Sequence, residues 1–479
     1  MLRKTDFYID GRWVAPAAAN DCAVINPATE QAFAVISLGS AEDVDRAVLA
    51  ARRAFVAWSA TDRQTRLSWL NRLLDVYERR SVDLAKAMSA EMGAPIRLAI
   101  DEQAASGSFH IQNFIEALKE FEFERHHEMR GARALLAYEP IGVCGLITPW
   151  NWPMNQVVLK VVAAISAGCT VILKPSELAP ISSMIFADII DASGLPDGVF
   201  NLVNGDGPTV GAAMSSHPGI DMMSFTGSTD AGIAVTKAAA GTVKRVALEL
   251  GGKSPNLIFA DADVDQAVRK GVEAIFENTG QSCNAPSRML VERSVYDQAV
   301  AIAAEVAAKT NVGDPSVDGD HIGPVSSERH FGKVQSMIER GIEEGARLVA
   351  GGVGRPSGFD RGYYVRPTVF ADVDNKMAIA QQEIFGPVLS IIPFDTEDEA
   401  IEIANDTPYG LAAYIQSGDK DRVRRVSRAL RAGMVRINGA SHATGAPFGG
   451  YKQSGIGREG GHFGIEDFME VKAVSGIPD

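Results

Sequence analysis

Apolar residues between positions 41 and 58 recur with the spacing of an amphipathic helix. They are Val44, Ala47, Val48, Ala51 and Phe55, which three- and four-residue steps place on one face. The segments 62–80 and 82–92 continue this pattern. The first quarter of the chain is therefore predicted to be helical.

From Pro140 onward, short apolar runs alternate with stretches that have helical spacing. The runs are 142–147, 170–173, 199–203 and 222–225. A second series begins near Gly251, with runs at 256–259, 287–291 and 388–392. Buried strands that alternate with helices are typical of a parallel, doubly wound sheet. The pattern predicts two α/β units in one multi-lobed protein.

Residues 122–138 have a different character, because a charged stretch is followed by Ala134-Leu135-Leu136-Ala137-Tyr138. This pattern indicates an exposed β-ribbon, and a loop is the alternative. The sequence contains no internal repeat and no low-complexity linker.

Composition narrows the class of protein. The 479 residues carry 46 Lys and Arg against 60 Asp and Glu, a net charge of −14, which disfavours nucleic acid and anionic membranes as partners. The four cysteines are scattered, without metal-ligand spacing, so we expect no metal site and a cytoplasmic protein.

The first residues lack the apolar core of a secretory signal. The longest apolar stretch, 157–173, is broken by Lys160 and Gly168 and is too short to span a bilayer.

Four segments carry candidate chemistry. Cys283 lies among small polar residues with no histidine nearby, so either a structural cysteine or a nucleophile is compatible with its surroundings. Glu249 lies between apolar residues and two glycines, where burial would raise its pKa and suit it to act as a general base. A surface glutamate at a strand end is the alternative.

Asn151 lies in the turn Pro149-Trp150-Asn151-Trp152-Pro153, where its amide is a candidate donor to an oxyanion or a partner within its own turn. Two glycine-rich turns, 225–232 and 205–211, follow strands and precede helices. Such helix N-termini bind phosphate, although each glycine pattern by itself is weak evidence for a dinucleotide.

Together these segments resemble the aldehyde dehydrogenase superfamily, in the order of the motifs and in their residues, over nearly the whole chain. The most specific motifs are Glu249-Leu-Gly-Gly-Lys-Ser-Pro and Gly280-Gln-Ser-Cys283, and Glu383-Ile-Phe-Gly-Pro-Val is a third. The resemblance implies an α/β fold with a Rossmann-type cofactor domain, an α/β catalytic domain and a β-ribbon for oligomerisation. The corresponding ranges are 1–121 and 142–250 for cofactor binding, 251–450 for catalysis, and 122–141 with 460–479 for the ribbon.

The resemblance also implies a reaction, the oxidation of an aldehyde to a carboxylic acid. Cys283 would form a thiohemiacetal and then a thioester, with Asn151 and the Cys283 N–H stabilising the oxyanion. Glu249 would activate the water that hydrolyses the thioester. Lys160 and Glu459 match positions implicated in proton relay. The alternative for Lys160 is a lysine that pairs with an acid, and the alternative for Glu459 is a surface glutamate.

Cofactor residues are implied in the same way. They are Trp150, Lys174, Glu177, Gly207, Gly227, Ser228, Glu383 and Phe385. Glu177 would accept hydrogen bonds from the adenosine ribose and repel a 2′-phosphate, so we expect a preference for NAD, with NADP still possible. The family expectation for assembly is a homodimer or homotetramer.

The substrate tunnel of relatives is lined at positions matching Trp152, Gln156, Leu159, Glu277, Ser282, Asn284, His442 and Phe448. Leu159 offers no charge partner for a distal carboxylate, and together with Trp152 and Phe448 it favours an apolar or aromatic aldehyde. Glu277 and His442 instead favour a polar or cationic one, and His442 has an exposed loop histidine as its alternative.

Three other functions compete with this prediction. A CoA-acylating relative would release the acyl group to coenzyme A, but such members usually lack the general base that Glu249 supplies. A non-catalytic structural member of the family is disfavoured by the intact Cys283, Glu249 and Asn151. A metallohydrolase built on His126 and His127 is disfavoured because adjacent histidines do not readily face one metal.

Overall fold

The computed structural model describes residues 1–476, and the predicted end of the ribbon at 477–479 lies outside the described residues. The helices are α1 Ala41–Trp58, α2 Arg63–Met92, α3 Ile96–Leu98, α4 Ala105–Glu120, α5 Pro153–Ala167, α6 Ile181–Ala192, α7 Ala212–Ser216, α8 Thr229–Ala239, α9 Val264–Phe276, α10 Tyr296–Lys309, α11 Glu328–Glu343, α12 Ala378–Gln381, α13 Glu397–Asn405, α14 Lys420–Ala429 and α15 Gly461–Asp467. Two π-helical turns, Ala99–Ala104 and Gly207–Gly211, precede α4 and α7.

The strands form four sheets within residues 1–476. They are β1 Leu2–Lys4, β2 Phe7–Ile9, β3 Arg12–Val14, β4 Asp21–Asn26, β5 Gln31–Ser37, β6 Glu124–Met129, β7 Ala132–Pro140, β8 Val143–Ile147, β9 Thr170–Lys174, β10 Phe200–Leu202, β11 Met222–Gly227, β12 Arg245–Leu250, β13 Pro255–Ile258, β14 Arg288–Glu292, β15 Arg347–Ala350, β16 Thr368–Ala371, β17 Val388–Phe394, β18 Ala412–Gln416, β19 Met434–Ile437, β20 Gly455–Ile456 and β21 Met469–Ser475.

The first large sheet has the strand order β20-β12-β11-β8-β9-β10-β2-β3. Its middle strands, β12 to β10, are parallel, and β20, β2 and β3 run antiparallel at the edges. The chain starts the parallel part at β8, moves outward through β9 and β10, and then returns to add β11 and β12 on the other side. This reversal creates a crevice between β8 and β11, at the carboxyl ends of the strands, where ligands bind in such folds.

The second large sheet has the order β15-β16-β17-β14-β13-β18-β19, in which only β15 is antiparallel. Helices cover both faces of each large sheet. On the first sheet, α2, α4, α5 and α6 pack on one face and α1, α7 and α8 on the other. On the second, α11 to α14 and α9 with α10 take the two faces. The predicted pair of doubly wound α/β units is confirmed.

The smaller sheets join β1-β5-β4 and β21-β7-β6. The ribbon predicted for 122–138 is confirmed as β6 and β7, and the alternative of a loop is wrong. Strand β21 continues this sheet, pairing Met469 with Pro140 and Ser475 with Ala134.

The prediction that the first quarter is helical is only partly correct. Helix α1 has the predicted bounds, and 62–80 with 82–92 form one continuous helix, α2, capped by Asp62 at its start and by Gly93 in the left-handed region at its end. Residues 2–37, however, form β1 to β5. Three of these strands have only three residues, and β4 and β5 pair with each other, so pairing partners contribute to their structure besides the local pattern.

The apolar stretch 157–173 is divided between α5 and β9. Among the described residues, no helix combines the length and hydropathy that crossing a membrane requires.

Candidate functional site

The crevice of the first sheet collects the candidate residues that follow its parallel strands. Trp150 and Asn151 come after β8, Gly227 and Ser228 end β11 and cap α8, and Glu249 lies on β12. Carboxyl ends of parallel strands share one edge of a sheet, which is why segments distant in sequence meet here.

Cys283 reaches this crevice from the second sheet, in the loop between α9 and β14. The loop turns through Asn278 and Thr279, whose φ angles of 49° and 58° lie in the left-handed region. Asparagine tolerates this region, whereas a β-branched threonine seldom adopts it. Burial raises the pKa of the Cys283 thiol, and the carboxyl groups of Glu383 and Glu249 raise it further. The cysteine is therefore held as a thiol, and a nearby base has to accept its proton before it acts as a nucleophile.

The Asn151 side chain faces the Cys283 loop and does not cap its own turn. Its Nδ2 donates to the Gln281 carbonyl oxygen at 2.8 Å, and the residue is buried. This bond fixes the plane of the amide and uses one of its two N–H groups. The second N–H remains available to an oxygen atom close to Cys283.

Glu249 is buried, and its Oε2 has no hydrogen-bond partner. Burial raises the pKa of this carboxyl, the charge of Glu459 raises it further, and Lys160 opposes the shift. The prediction of a perturbed carboxyl is confirmed, and the alternative of a surface glutamate is wrong. A carboxyl whose pKa is raised towards neutrality suits proton transfer.

Lys160 and Glu459 form a buried ion pair beside Glu249. Lys160 Nζ lies 2.5 Å from Glu459 Oε1 and 3.0 Å from Ser224 Oγ. Lys160 therefore pairs with an acid, as its alternative interpretation predicted. That acid is Glu459, which is buried and not a surface residue. The pair places two charges next to Glu249, where both act on its pKa.

A cavity of about 670 Å³ contains most of the predicted cofactor residues together with Asn151, Glu249 and Cys283. The cofactor residues on its wall are Trp150, Gly227, Ser228, Glu383 and Phe385. At one end is the N-terminus of α8, which suits a phosphate. Glu383 accepts a hydrogen bond from the Gly252 N–H at 3.0 Å, and the Thr226 hydroxyl is buried without a partner. This donor set fits a dinucleotide, with phosphate at the helix and a carboxylate for a ribose.

Trp150 and Phe385 pack edge to face in this cavity, with ring centroids 5.6 Å apart. His330 lies against both rings and contacts the Phe385 carbonyl oxygen through Nε2 at 2.7 Å. Burial lowers the pKa of His330 to about 4, so the ring is neutral. His330 and Lys333, both on α11, also line the cavity. Neither residue was predicted, because the sequence of a helix does not show which of its faces contacts a distant part of the chain.

Lys174, Glu177 and Gly207 are not among the residues that line that cavity. Lys174 and Glu177 lie at and after the end of β9, and Gly207 begins the π-helical turn that follows β10. Lys174 Nζ contacts the Gly205 oxygen at 2.6 Å, the Pro175 oxygen at 3.0 Å and Glu177 Oε2 at 3.5 Å. Burial lowers the pKa of Lys174, while Glu177 opposes this shift. Three acceptors occupy the three N–H groups of the lysine, whereas the Glu177 carboxylate is partly exposed.

A second cavity, of about 1800 Å³, also has Cys283 in its wall. All predicted substrate residues line it, namely Trp152, Gln156, Leu159, His442 and Phe448, with Glu277, Ser282 and Asn284. Trp152 donates from Nε1 to Ser282 Oγ at 2.8 Å, which ties the wall to the residue next to Cys283. Cys283 therefore lies where the two cavities meet.

His442 and Phe448 lie together in the wall of this second cavity, with ring centroids 6.4 Å apart. The His442 Nε2 contacts the Ala446 oxygen at 3.1 Å, so the histidine is not simply a free loop residue. Tyr414 and Arg436 also line the cavity and were not predicted; they belong to β18 and β19, whose contribution depends on the packing of the second sheet.

His126 and His127 lie on β6, where successive side chains point to opposite faces. Within residues 1–476, no group of three His, Cys, Asp or Glu side chains has the arrangement of a metal site.

Comparison with known proteins identifies the family. Residues 13–474 match the model of the aldehyde dehydrogenase family. The chain is 52% identical to 3-succinoylsemialdehyde-pyridine dehydrogenase of a Pseudomonas species, over 98% of both chains. It superposes on an aldehyde dehydrogenase crystal structure from Bartonella henselae with a TM-score of 0.98 and 56% identity, covering 99% of this chain and 100% of the other.

A second crystal structure is that of aldehyde dehydrogenase C from Pseudomonas syringae, a cysteine-to-alanine mutant in complex with NAD⁺ and octanal. Its TM-score is 0.96 and its identity is 51%, over 98% of this chain and 96% of that one. These matches confirm the predicted fold and the prediction that the chain is an oxidoreductase acting on aldehydes. The protein belongs to the aldehyde dehydrogenase family.

Proposed function

We propose that this enzyme oxidises an aldehyde to a carboxylic acid with NAD, through a thioester on Cys283. The observation that carries the proposal is the position of Cys283 between two cavities. One cavity has a helix N-terminus and a carboxylate that suit a dinucleotide, and the other is lined by the substrate candidates. A nucleophile at this junction is able to contact both reactants.

In the first step, the Cys283 thiol passes its proton to the Glu249 carboxylate in the same cavity, and the sulfur attacks the aldehyde carbon. Glu249 releases this proton towards solvent before the second step. The new C–S bond leaves a negative charge on the former carbonyl oxygen. The free N–H of Asn151 Nδ2 and the Cys283 main-chain N–H donate to this oxygen, since fixed donors in a buried site stabilise developing charge. The NAD nicotinamide ring supplies the hydride acceptor when bound, and loss of hydride from the same carbon yields the thioester.

In the second step, Glu249 accepts a proton from water, and the resulting hydroxide attacks the thioester carbon. The C–S bond then breaks, the carboxylic acid leaves, and Cys283 departs as the thiolate. Glu249 is suited to this role because burial raises the pKa of its carboxyl. The contacts of Lys160 with Glu459 and Ser224 support a route for the proton away from Glu249.

A buried glutamate beside the cysteine favours hydrolysis over transfer to coenzyme A. Transfer of the acyl group to coenzyme A does not need a base that activates water. In that alternative, the Glu249 carboxyl with its raised pKa would have no function. We retain that alternative, and the structural one, only as outcomes of the experiment below.

We propose that NAD is preferred to NADP. The exposed carboxylate of Glu177 would accept hydrogen bonds from ribose hydroxyls and repel a 2′-phosphate. Lys174 is poorly placed to compensate, because its three N–H groups already face acceptors. The related aldehyde dehydrogenase C was crystallised with NAD⁺, which is consistent with this choice.

For the substrate we propose an apolar or aromatic aldehyde. Trp152, Leu159 and Phe448 supply apolar wall to the second cavity, and burial of apolar surface drives binding of such molecules. Octanal in the Pseudomonas syringae structure supports this class. The relative with 52% identity is named 3-succinoylsemialdehyde-pyridine dehydrogenase. The pyridine in this name supports an aromatic group at the end of the substrate away from the aldehyde.

We also propose the division into a cofactor domain of 1–121 and 142–250, a catalytic domain of 251–450 and a ribbon of 122–141 with 460–479. The third sheet, β21-β7-β6, supports a role in assembly, because an unpaired edge strand invites a partner. A homodimer or homotetramer is the assembly that we propose.

The test is a screen for NADH formation with a panel of aliphatic, aromatic, amino and carboxylate-bearing aldehydes, run with NAD and with NADP, each with and without coenzyme A. We expect the highest kcat/KM with NAD and an apolar or aromatic aldehyde, and a carboxylic acid as the product. A requirement for coenzyme A, or the absence of activity with every aldehyde, would contradict the proposal.

A further inference from the structure

The π-helical turn Ala99–Ala104 places one glutamine inside the protein, next to the oxyanion residue. Gln103 is 1% exposed, and its Nε2 lies 3.2 Å from the Asn151 main-chain oxygen and 3.2 Å from Asn278 Oδ1. Its third neighbour, Met92 Sδ at 3.3 Å, is also an acceptor. Only an N–H₂ group suits three acceptors, so the orientation of the amide is defined. Residues that such π-helical turns reposition are frequently found at functional sites.

Asn278 completes a network with Gln103. Its Oδ1 accepts the bond from Gln103, and its Nδ2 donates to the Asn151 oxygen at 2.9 Å and to the Gln281 oxygen at 3.3 Å. The same Gln281 oxygen accepts the 2.8 Å bond from Asn151 Nδ2. Hydrogen bonds therefore close a ring that joins three distant segments of the chain, and every one of these residues is buried.

This ring determines where the free N–H of Asn151 points. Two donors, from Gln103 and Asn278, hold the Asn151 main chain, and the Gln281 oxygen holds one hydrogen of its side-chain amide. Because the amide is planar, its second hydrogen has no remaining freedom. The ring also holds Gln281, two residues before Cys283, so it relates the oxyanion donor to the nucleophile.

We propose that Gln103 and Asn278 are positioning residues, which hold the Asn151 amide and the Cys283 loop in register for stabilisation of the oxyanion. The inference rests on the proposed function of Asn151. Neither residue lines the cavity with the cofactor candidates, so they act through Asn151 and the loop. Buried hydrogen-bond networks fix geometry, and the Gln103 N–H₂ group keeps its acceptors here although Gln103 Oε1 has no partner. Oxyanion stabilisation depends on donors that are already aligned.

The first test is Gln103→Met, which keeps the length of the side chain and removes the donor. We expect kcat to fall about 10- to 100-fold, less than loss of an oxyanion donor itself, with the KM for NAD within about twofold of wild type. The matched control is Asn201→Leu. Asn201 is another buried amide, donating to Val171 and Gly198 oxygens at 3.2 and 2.8 Å, and its variant should keep kcat while losing thermal stability.

The second test is a double-mutant cycle with Asn151→Ala. If Gln103 acts through the Asn151 amide, adding Gln103→Met to Asn151→Ala causes no more than about a twofold further loss of kcat. If Gln103→Met does not fold, Asn278→Asp replaces it, since this variant keeps Oδ1 and loses the donor to Asn151.

Multiplicative losses in the cycle, or a wild-type kcat in the folded single variant, would overturn the positioning role. A wild-type enzyme that forms no NADH from any aldehyde would instead overturn the proposed function, so the two failures are distinguishable.

Discussion

Gly251→Ala tests the cofactor site by adding one methyl group. A Cβ on Gly251 would lie 2.4 Å from Glu383 Oε2 and 2.6 Å from its Cδ. Gly251 does not have a positive φ, so alanine fits the backbone and the only new feature is this overlap. We expect Glu383, the candidate ligand of the nicotinamide ribose, to move away from its position against the Gly252 N–H.

The size of the effect follows from these distances. Ordinary van der Waals contact begins at 3.4 Å, so the carboxylate has to move by about 1 Å. Such a shift disrupts a charge-assisted hydrogen bond, which is worth about 1.5–3 kcal/mol. Since ~1.4 kcal/mol corresponds to a factor of ten in affinity, NAD should bind about 10- to 100-fold more weakly.

The assay is titration calorimetry with NAD, together with the KM for NAD in steady state. Gly241→Ala is the matched control, because its added Cβ has no atom within 4 Å and should leave affinity unchanged. Glu383→Asp in the Gly251→Ala background shortens the side chain by about 1.5 Å, one C–C bond, and should recover part of the affinity. Unchanged NAD affinity in Gly251→Ala would refute the assignment of Glu383 to the cofactor.

Further predictions concern the oxyanion donor, the base and cofactor choice. Asn151→Ala should lower kcat by about 10²–10³ in steady-state assays, with NAD affinity by calorimetry unchanged; a loss below threefold would contradict its role. Glu249 must be ionised to act, so kcat rises with pH through its raised pKa. Lys160→Met should therefore move the acid limb of the pH profile to higher pH and Glu459→Gln to lower pH, and shifts of the opposite sign would exclude this electrostatic coupling. Glu177→Ser should raise kcat/KM for NADP relative to NAD ~10-fold, or ~1.4 kcal/mol, and an unchanged ratio would show that Glu177 does not discriminate.

The sequence was sufficient to predict most of the parallel strands, but not β12, β16, β18 and β19. Hydrophobic runs and turn residues are local signals, which is why the other strands and the residues that follow them were found. Asn151, which follows β8, and Glu249, which lies near the end of β12 after an apolar run, had such signals. Cys283 was ambiguous from its surroundings alone, and only the resemblance to a family resolved it. The strands in residues 2–37 escaped prediction although β2 with β3 and β4 with β5 form local hairpins. Among these strands, β2 also pairs with β10, which is distant in sequence.

Residues that approach the site from remote elements had no local signal. His330 and Lys333 reach the cavity with the cofactor candidates from α11, and Arg436 reaches the cavity with the substrate candidates from β19. Nothing in the sequence distinguishes Gln103 from an ordinary helical residue. In the structure, the π-helical turn directs its side chain to Asn151. Contacts of this kind arise from tertiary packing, which a single sequence does not encode in its local pattern.

In the proposed reaction, Cys283 carries the acyl group and Glu249 activates the water that releases it. The most direct measurement is rapid mixing of Glu249→Gln with NAD and an aldehyde, followed by mass spectrometry of the intact protein. The account predicts one burst of NADH, with an amplitude near one per active site, followed by a stall, and a mass increase equal to the acyl group. It also predicts that Cys283→Ala gives neither burst nor adduct. Normal continuous turnover by Glu249→Gln, or an adduct on Cys283→Ala, would contradict it.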